Sequence, residues 1–256
     1  PFPKSLNHVA YESTRSELYR IPYFIVDSPE LNTIFVTCRG SYCFADFIVD
    51  IKASAEDYDG GKVHQGVYLT AKNIYEEITS KVLSLYAKHK KHKRKIMFTG
   101  HSLGASVSAL INETFRTFHP EFDSQCFIFA PCAAFSEDLW AKCHPHTISY
   151  VLEGDFVPFL SFTTFFELPK GSLPSFFKQY LEDAIVQRME KKIYKPKLVP
   201  AGVNPFDFPP PPLESILNDD IDKIIKPTPL YPPGNCYLVS LVDEKNSKLS
   251  IKKVKD

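Results

Sequence analysis

The sequence predicts an α/β protein with a mostly parallel sheet and helices on both of its faces. Two observations support this class. Short runs rich in β-branched and aromatic residues alternate with helical segments, as parallel strands joined by crossover helices require. The chain has 256 residues, 44% of them hydrophobic, so we expect residues 1–256 to form one domain around one core.

The first part of the chain is an ordered series of predicted strands and helices. Residues 22–26 and 33–38 flank a polar turn, which predicts a hairpin. Apolar residues recur at helical spacing from 66 to 90, which predicts a long amphipathic helix. The remaining elements are expected at 95–99 (strand), about 105–118 (helix), 125–130 (strand), 136–142 (short helix) and 148–152 (strand).

Beyond Asp155 the chain is rich in proline, which interrupts regular structure. Proline-rich tracts commonly form linkers or surface loops. We interpret this one as an insert or cap at about 163–229, with helical pieces at 172–191 and 213–226. Strands at 236–242 and 249–254 then return to the sheet. The aromatic stretch at 156–166 fits either the core or an apolar groove.

Composition excludes several classes of function. The 30 basic and 30 acidic side chains balance, so we expect no nucleic-acid partner. No apolar run approaches the roughly 20 residues that span a bilayer. The six cysteines form no close zinc-binding pair, so we expect no metal. Thiols in predicted strands and a glycosylation sequon at Asn112, inside a predicted helix, favour a cytoplasmic location over the alternative, secretion.

The most informative residues are Gly100-His101-Ser102-Leu103-Gly104. A predicted strand precedes them and a helix rich in small residues follows, which is the context of a nucleophile elbow. The glycines allow a tight turn that exposes the Ser102 hydroxyl at the carboxyl edge of the sheet. The pattern predicts Ser102 as a nucleophile, with the backbone N–H of Leu103 as one oxyanion donor.

An activated serine also needs an acid, a base and a second oxyanion donor. Asp155 follows the strand at 148–152 and is the predicted acid, with Glu153 as its substitute. The early loop Arg39-Gly40-Ser41 is the candidate oxyanion loop, in which Ser41 offers an N–H and a hydroxyl.

These motifs resemble the class 3 (fungal-type) lipases. Cys38-Arg39-Gly40-Ser41 resembles their oxyanion segment, and residues 46–50 resemble the acidic stretch that follows it. Residues 63–66 (V-H-Q-G), 99–104 (T-G-H-S-L-G) and 154–158 (G-D-F-V-P) are similar to further family motifs in the same order. Within the family, the L-Y-P-P-G run at 230–234 makes the chain most similar to sn-1-specific diacylglycerol lipases.

The resemblance implies an α/β-hydrolase fold and a serine lipase that cleaves an acyl ester of a glycerolipid, with diacylglycerol as the expected substrate. It implies no cofactor and a peripheral contact with a membrane or lipid interface. Two alternatives stay open. One is a phospholipase A1 or another esterase on the same fold, and the other is a catalytically inactive, lipid-binding or regulatory protein. The sequence does not determine the oligomeric state.

The catalytic base is the part of the triad that these residues do not provide. Family order is serine, acid, histidine, whereas all eight histidines here precede Asp155. His64 belongs to the V-H-Q-G motif, where a structural role is expected, and His144 and His146 are expected at the opposite edge of the sheet. We therefore expect the base beyond Asp256.

A basic run at 88–95 precedes the strand that leads to Ser102. It could contact anionic lipid, but it lies at the opposite end of that strand from the serine. The interpretation we favour is a set of solvated cations at the end of a helix.

Overall fold

The computed structural model describes residues 9–17, 19–40, 55–88, 93–155, 157–159, 229–243 and 248–254. Eight of the described strands form one sheet in the order β1-β2-β3-β6-β7-β8-β9-β10. They are β1 (Val9–Ser13), β2 (Tyr23–Ser28), β3 (Thr33–Cys38), β6 (Lys95–His101), β7 (Ser124–Phe129), β8 (Thr147–Leu152), β9 (Asn235–Asp243) and β10 (Lys248–Lys253). A separate hairpin contains β4 (Ala55–Tyr58) and β5 (Gly61–His64).

The centre of the sheet is parallel, from β3 through β6, β7 and β8 to β9. Antiparallel pairs close both sides: β1–β2–β3 on one and β9–β10 on the other. The predicted hairpin is confirmed as β2 and β3, whose register pairs Ser28 with Thr33 across the turn. The carboxyl ends of β6, β7 and β8 therefore meet at one edge of the sheet.

Three described α-helices accompany the strands: α1 (Gln65–Lys88), α2 (Leu103–Phe118) and α3 (Glu137–Cys143). A short 3-10 helix covers Val157–Phe159. The predicted apolar stripe of α1 is confirmed, because Val67, Ile74, Ile78, Val82 and Leu85 are all buried. Small residues let α2 approach the sheet closely, and the Ser108 hydroxyl donates a hydrogen bond to the carbonyl oxygen of Thr99 (2.8 Å).

One face of the sheet forms the main core against α1 and α2, which also pack on each other. Alternate side chains of the central strands fill this face, among them Ile34, Val36, Ile96, Phe98, Cys126 and Ile128. The mostly parallel sheet with packed helices confirms the α/β prediction. Helices on the second face stay a prediction, since the two long described helices share one face.

Arg94 corrects our interpretation of the basic run. Its side chain is buried at the amino edge of the sheet and forms an ion pair with Asp27 (2.8 Å). It also donates a hydrogen bond to the carbonyl oxygen of Ser28 (2.7 Å). This residue is therefore a structural link between β2 and β6 and not a solvated cation.

Several predictions concern residues outside those described. They are the insert at 163–229 apart from Pro229, its helices at 172–191 and 213–226, most of the aromatic stretch at 156–166, and residues 89–92 of the basic run. Among the described helices, none is long and apolar enough to cross a membrane. The five described cysteines carry thiols and not disulfides, and Asn112 of the sequon is fully buried in α2.

Candidate active site

Ser102 occupies the junction between β6 and α2, since β6 ends at His101 and α2 begins at Leu103. Its backbone has φ 55° and ψ −126°, which is strained for a residue with a side chain and costs on the order of 1–3 kcal/mol. Its N–H donates to the carbonyl oxygen of Phe129 at the end of β7 (3.1 Å).

The Ser102 hydroxyl does not cap the helix that it precedes. A serine at the N-cap position of a helix ordinarily has an extended backbone, and its side-chain oxygen accepts a hydrogen bond from an N–H group in the first turn. Here the turn points the side chain elsewhere, and the residue is partly exposed. The elbow geometry predicted for Ser102 is therefore present, with a hydroxyl that is not engaged in capping.

Two glycines permit this turn. A Cβ on Gly100 would lie 2.8 Å from the backbone nitrogen of Ala105 and would also overlap Gly104. A Cβ on Gly104 would lie 2.5 Å from the carbonyl oxygen of Arg39. The first turn of α2 thus packs directly on the end of β3, where no side chain fits.

The candidate oxyanion loop lies against the elbow. A Cβ on Gly40 would be 2.7 Å from the carbonyl oxygen of His101 and 3.4 Å from the Cβ of Ser102. Leu103 is the first residue of α2, and N–H groups in a first turn have no partner within their helix. This N–H can serve a developing oxyanion. Ser41 lies outside the described residues, so its role stays a prediction.

Asp155 lies at the same edge of the sheet, three residues after β8. Gly154 has φ 86°, and the N–H of Asp155 donates to the carbonyl oxygen of Leu152 (3.0 Å). The Oδ1 atom of Asp155 accepts a bond from the N–H of Val157 (2.9 Å). The turn holds this carboxylate in place, whereas Glu153 is exposed.

The structure adds Cys132, which our sequence reasoning treated only as one of six cysteines. It is fully buried in the loop after β7, and its carbonyl oxygen accepts a hydrogen bond from the Ser106 hydroxyl (3.1 Å). Burial raises the pKa of Cys132 to about 12, the Ser106 and Ser102 hydroxyls partly offset that rise, and the charge of Asp155 adds to it.

The structure describes five histidines, and the surroundings of each bear on whether it could act as the catalytic base. His64 is buried, which lowers its pKa to about 4, and its Nδ1 accepts a bond from the N–H of Gly66 at the start of α1 (3.1 Å). That is a structural role. His119 follows α2, His144 follows α3, and His146 immediately precedes β8, which places His146 at the amino edge of the sheet. His101, beside Ser102, is exposed.

Within the described residues there is no cluster of three or more histidine, cysteine, aspartate or glutamate side chains suited to a metal ion. The groups gathered at the carboxyl edge are a hydroxyl, a thiol, a carboxylate and backbone N–H donors. Such a set is equipped for nucleophilic attack on a carbonyl and for stabilising an oxyanion.

A parallel sheet with a strand–serine–helix elbow and an acid after a later strand defines the α/β-hydrolase class. The chain belongs to the lipase (class 3) family, whose model matches residues 35–165, just over half of its length. This confirms the resemblance seen in the motifs. Lipases of this family are hydrolases that act on esters.

Individual relatives match the chain at low identity or over a short segment. Diacylglycerol lipase-beta of Mus musculus is 24% identical over 167 residues, covering 63% of this chain and 25% of that protein. Phospholipase A1 PLIP2 of Arabidopsis thaliana, a chloroplastic protein, is 35% identical over 92 residues, covering 35% of this chain and 13% of that protein. The chain therefore spans a quarter or less of the length of these relatives.

The solved structure of a Rhizomucor miehei lipase propeptide complex has the same fold. It aligns with a TM-score of 0.54 and 19% identity, covering 59% of this chain and 51% of that chain. At this identity the likeness supports the fold alone.

Proposed function

We propose that this protein is a serine lipase that hydrolyses an acyl ester of a glycerolipid. The observation that carries the proposal is the strained, non-capping Ser102 between β6 and α2. Strain of this kind persists where the surrounding structure requires it, and here the packing of Gly100 and Gly104 does so. Membership of a lipase family supports the same chemistry.

In the proposed mechanism, Ser102 Oγ attacks the ester carbonyl carbon while a base takes the hydroxyl proton. The carbonyl oxygen becomes an oxyanion. The N–H of Leu103 and the N–H or hydroxyl of Ser41 donate hydrogen bonds that stabilise it. The intermediate collapses, the base returns its proton to the glyceride alcohol, and an acyl-serine is left. Water then releases the fatty acid by the same steps.

Asp155 is the proposed acid that orients the base. Its Oδ1 is held by the N–H of Val157, which fixes the carboxylate at the sheet edge where β8 ends. An imidazole bound to a carboxylate is kept in the tautomer that can accept the serine proton. Asp155→Asn should therefore lower kcat strongly while leaving the fold intact.

The identity of the base stays a prediction. Replacing each histidine of the full coding sequence in turn, including any beyond Asp256, should identify one position whose loss costs several orders of magnitude in rate. His64→Gln serves as the control, because His64 is buried and holds the start of α1. A large loss of kcat in a stably folded His64→Gln protein would make His64 the next candidate base.

Diacylglycerol is the proposed substrate, supported by the relative named diacylglycerol lipase-beta. The second candidate, phospholipase A1 activity, is supported by the Arabidopsis relative. The test presents mixed micelles of diacylglycerol or of phosphatidylcholine to purified protein and measures fatty-acid release. Faster hydrolysis of phosphatidylcholine would reverse the assignment, while binding without release by either would favour an inactive lipid-binding protein.

We also propose a cytoplasmic protein that contacts a lipid interface. Thiols at the five described cysteines, four of them buried, are compatible with a reducing compartment. Fractionation of cells that express the full coding sequence tests this. Recovery of the protein from the culture medium would contradict a cytoplasmic location.

A further inference from the structure

The second face of the sheet, opposite the core that α1 and α2 cover, carries apolar side chains toward its carboxyl edge. Residues side by side in register share a face of a sheet, and so do residues two apart along a strand. Phe129 pairs with Tyr150, and Tyr150 pairs with Tyr237. Ring contacts confirm that the three share a face, with centroids 5.7 and 5.9 Å apart. Phe129 directly follows Ile128, which is buried in the main core, so the three rings lie on the second face.

Two further rows of side chains continue this apolar surface along the strands. Leu152, Val239 and Ile251 lie side by side in register on β8, β9 and β10. Leu241 pairs with Leu249 one row further on, where β9 and β10 continue past the last pairing of β9 with β8. The three rows thus form one continuous surface that extends beyond the carboxyl edge.

The large side chains of these rows are unusually exposed. Five of them are each 50–58% exposed. We call them the edge patch: Phe129, Leu152, Leu241, Leu249 and Ile251. Single exposed apolar residues are ordinary on a protein surface, whereas a contiguous group marks a surface that contacts a partner or a membrane.

The edge patch lies at the same edge of the sheet as the proposed nucleophile. The register from β6 to β9 puts His101 level with Phe129 and Tyr237. The carbonyl oxygen of Phe129 also accepts the hydrogen bond from the N–H of Ser102 (3.1 Å), so the patch begins beside the elbow. Leu241 is four residues beyond Tyr237. At about 3.3 Å per residue, the last row of the patch therefore lies roughly 10 Å past Ser102 in the strand direction.

The charge around the edge patch suits an anionic surface. Lys253 pairs with Tyr237, which places it on the outer strand in the row of the three rings, and both Lys252 and Lys253 are exposed. The three rows contain no acidic residue. Binding at a lipid interface gains from the burial of apolar area and from lysines that meet anionic headgroups.

We propose that the edge patch docks on a glycerolipid surface that contains anionic lipid and brings that surface to the edge of the sheet where Ser102 lies. The inference rests on the proposed function, because a lipase meets its ester substrate at such a surface. Leu241, Leu249 and Ile251 enter the boundary between headgroups and acyl chains, while Lys253 stays among the headgroups. The carboxyl edge of the sheet then faces the lipid and the amino edge faces water.

The test measures how tightly full-length protein binds vesicles of phosphatidylcholine, with and without phosphatidylserine, by co-sedimentation. Ser102→Ala is the parent protein, so that no lipid is hydrolysed during the measurement. Replacing both Leu241 and Leu249 by serine removes the outermost row. Binding should weaken about 10- to 100-fold, because about half of each leucine side chain no longer gains from transfer into lipid. Phosphatidylserine should strengthen the binding of the parent.

Leu31→Ser is the matched control. Leu31 is 64% exposed and lies in the turn before β3, at the amino edge of the sheet. Its replacement should leave both the melting temperature and the vesicle affinity unchanged.

A tryptophan reports the contact directly and keeps the position apolar. Vesicles with brominated acyl chains should quench the fluorescence of Leu249→Trp and not that of Leu31→Trp. Both variants contain the native Trp140, so the difference between them isolates the new side chain.

Several results would overturn the inference. They are unchanged vesicle binding in the double serine variant, an equal loss in Leu31→Ser, no added quenching in Leu249→Trp, and equal binding with and without phosphatidylserine. A parent dimer that the double variant converts to a monomer, with vesicle binding intact, would assign the patch to a contact between copies instead.

Failure of the proposed function has a different signature. The edge patch would then bind vesicles as described, while the protein with Ser102 intact would release fatty acid from neither diacylglycerol nor phosphatidylcholine. That result would support the docking surface and refute the lipase.

Discussion

The contact between the oxyanion loop and the elbow makes a quantitative prediction for Gly40→Ala. The new Cβ would be 2.7 Å from the carbonyl oxygen of His101, whereas ordinary contacts begin at 3.4 Å. Both groups belong to the backbone, so the loop must retreat by an appreciable fraction of an ångström. A misplacement of about 1 Å in a catalytic site can cost about 100-fold in rate. We expect kcat to fall about 10- to 100-fold.

The assay is hydrolysis of a short, soluble p-nitrophenyl ester, which keeps effects at a lipid interface out of the measurement. Gly61→Ala is the control, since its Cβ would lie 2.9 Å from the Ser136 hydroxyl oxygen and 3.0 Å from the backbone nitrogen of Leu139, a somewhat milder clash away from the elbow. The control should lose about 1–3 kcal/mol of stability and keep its kcat. An unchanged kcat in Gly40→Ala, or an equal loss in Gly61→Ala, would refute the reasoning.

Two further predictions concern stability. Arg94→Ala removes a buried side chain that forms an ion pair with Asp27 and a hydrogen bond to Ser28, and it should cost about 3 kcal/mol in urea unfolding. The exposed Lys95→Ala should cost less than about 0.5 kcal/mol, and equal costs would show that the ion pair contributes nothing. Burial lowers the pKa of His64 from 6.5 to about 4. As pH falls, the unfolded state therefore binds a proton at His64 before the folded state does. The contribution to the free energy of unfolding should be fully present above pH 6.5 and decline toward pH 4. The free energy of unfolding should fall by about 2 kcal/mol between pH 6.5 and 5, and by less in His64→Gln. Identical pH profiles for the two proteins would show that His64 is not the source of this pH dependence.

Local patterns predicted most of the fold. The spacing of apolar residues in α1 identifies its buried face because the helical repeat itself places them on one side. The elbow was predictable because only glycine fits two positions before and two positions after Ser102. Both glycines are visible in the five-residue run from Gly100 to Gly104.

Residues whose surroundings come from distant parts of the chain were not predictable in the same way. Arg94 looks like one cation in a basic run until Asp27 and Ser28 enclose it. Cys132 meets α2 only in the folded chain, where its carbonyl oxygen accepts a hydrogen bond from the Ser106 hydroxyl. The sequence indicated only that Cys132 lies three residues beyond a strand that ends at the carboxyl edge of the sheet.

Covalent labelling tests the central claim, the nucleophilic role of Ser102, most directly. Full-length protein is treated with a fluorophosphonate and the modified peptide is identified by mass spectrometry. We predict one adduct on Ser102, its complete loss in Ser102→Ala, and its retention in Ser108→Ala, a serine whose hydroxyl is bonded to the carbonyl oxygen of Thr99. An adduct on another serine, or undiminished labelling of Ser102→Ala, would contradict the claim.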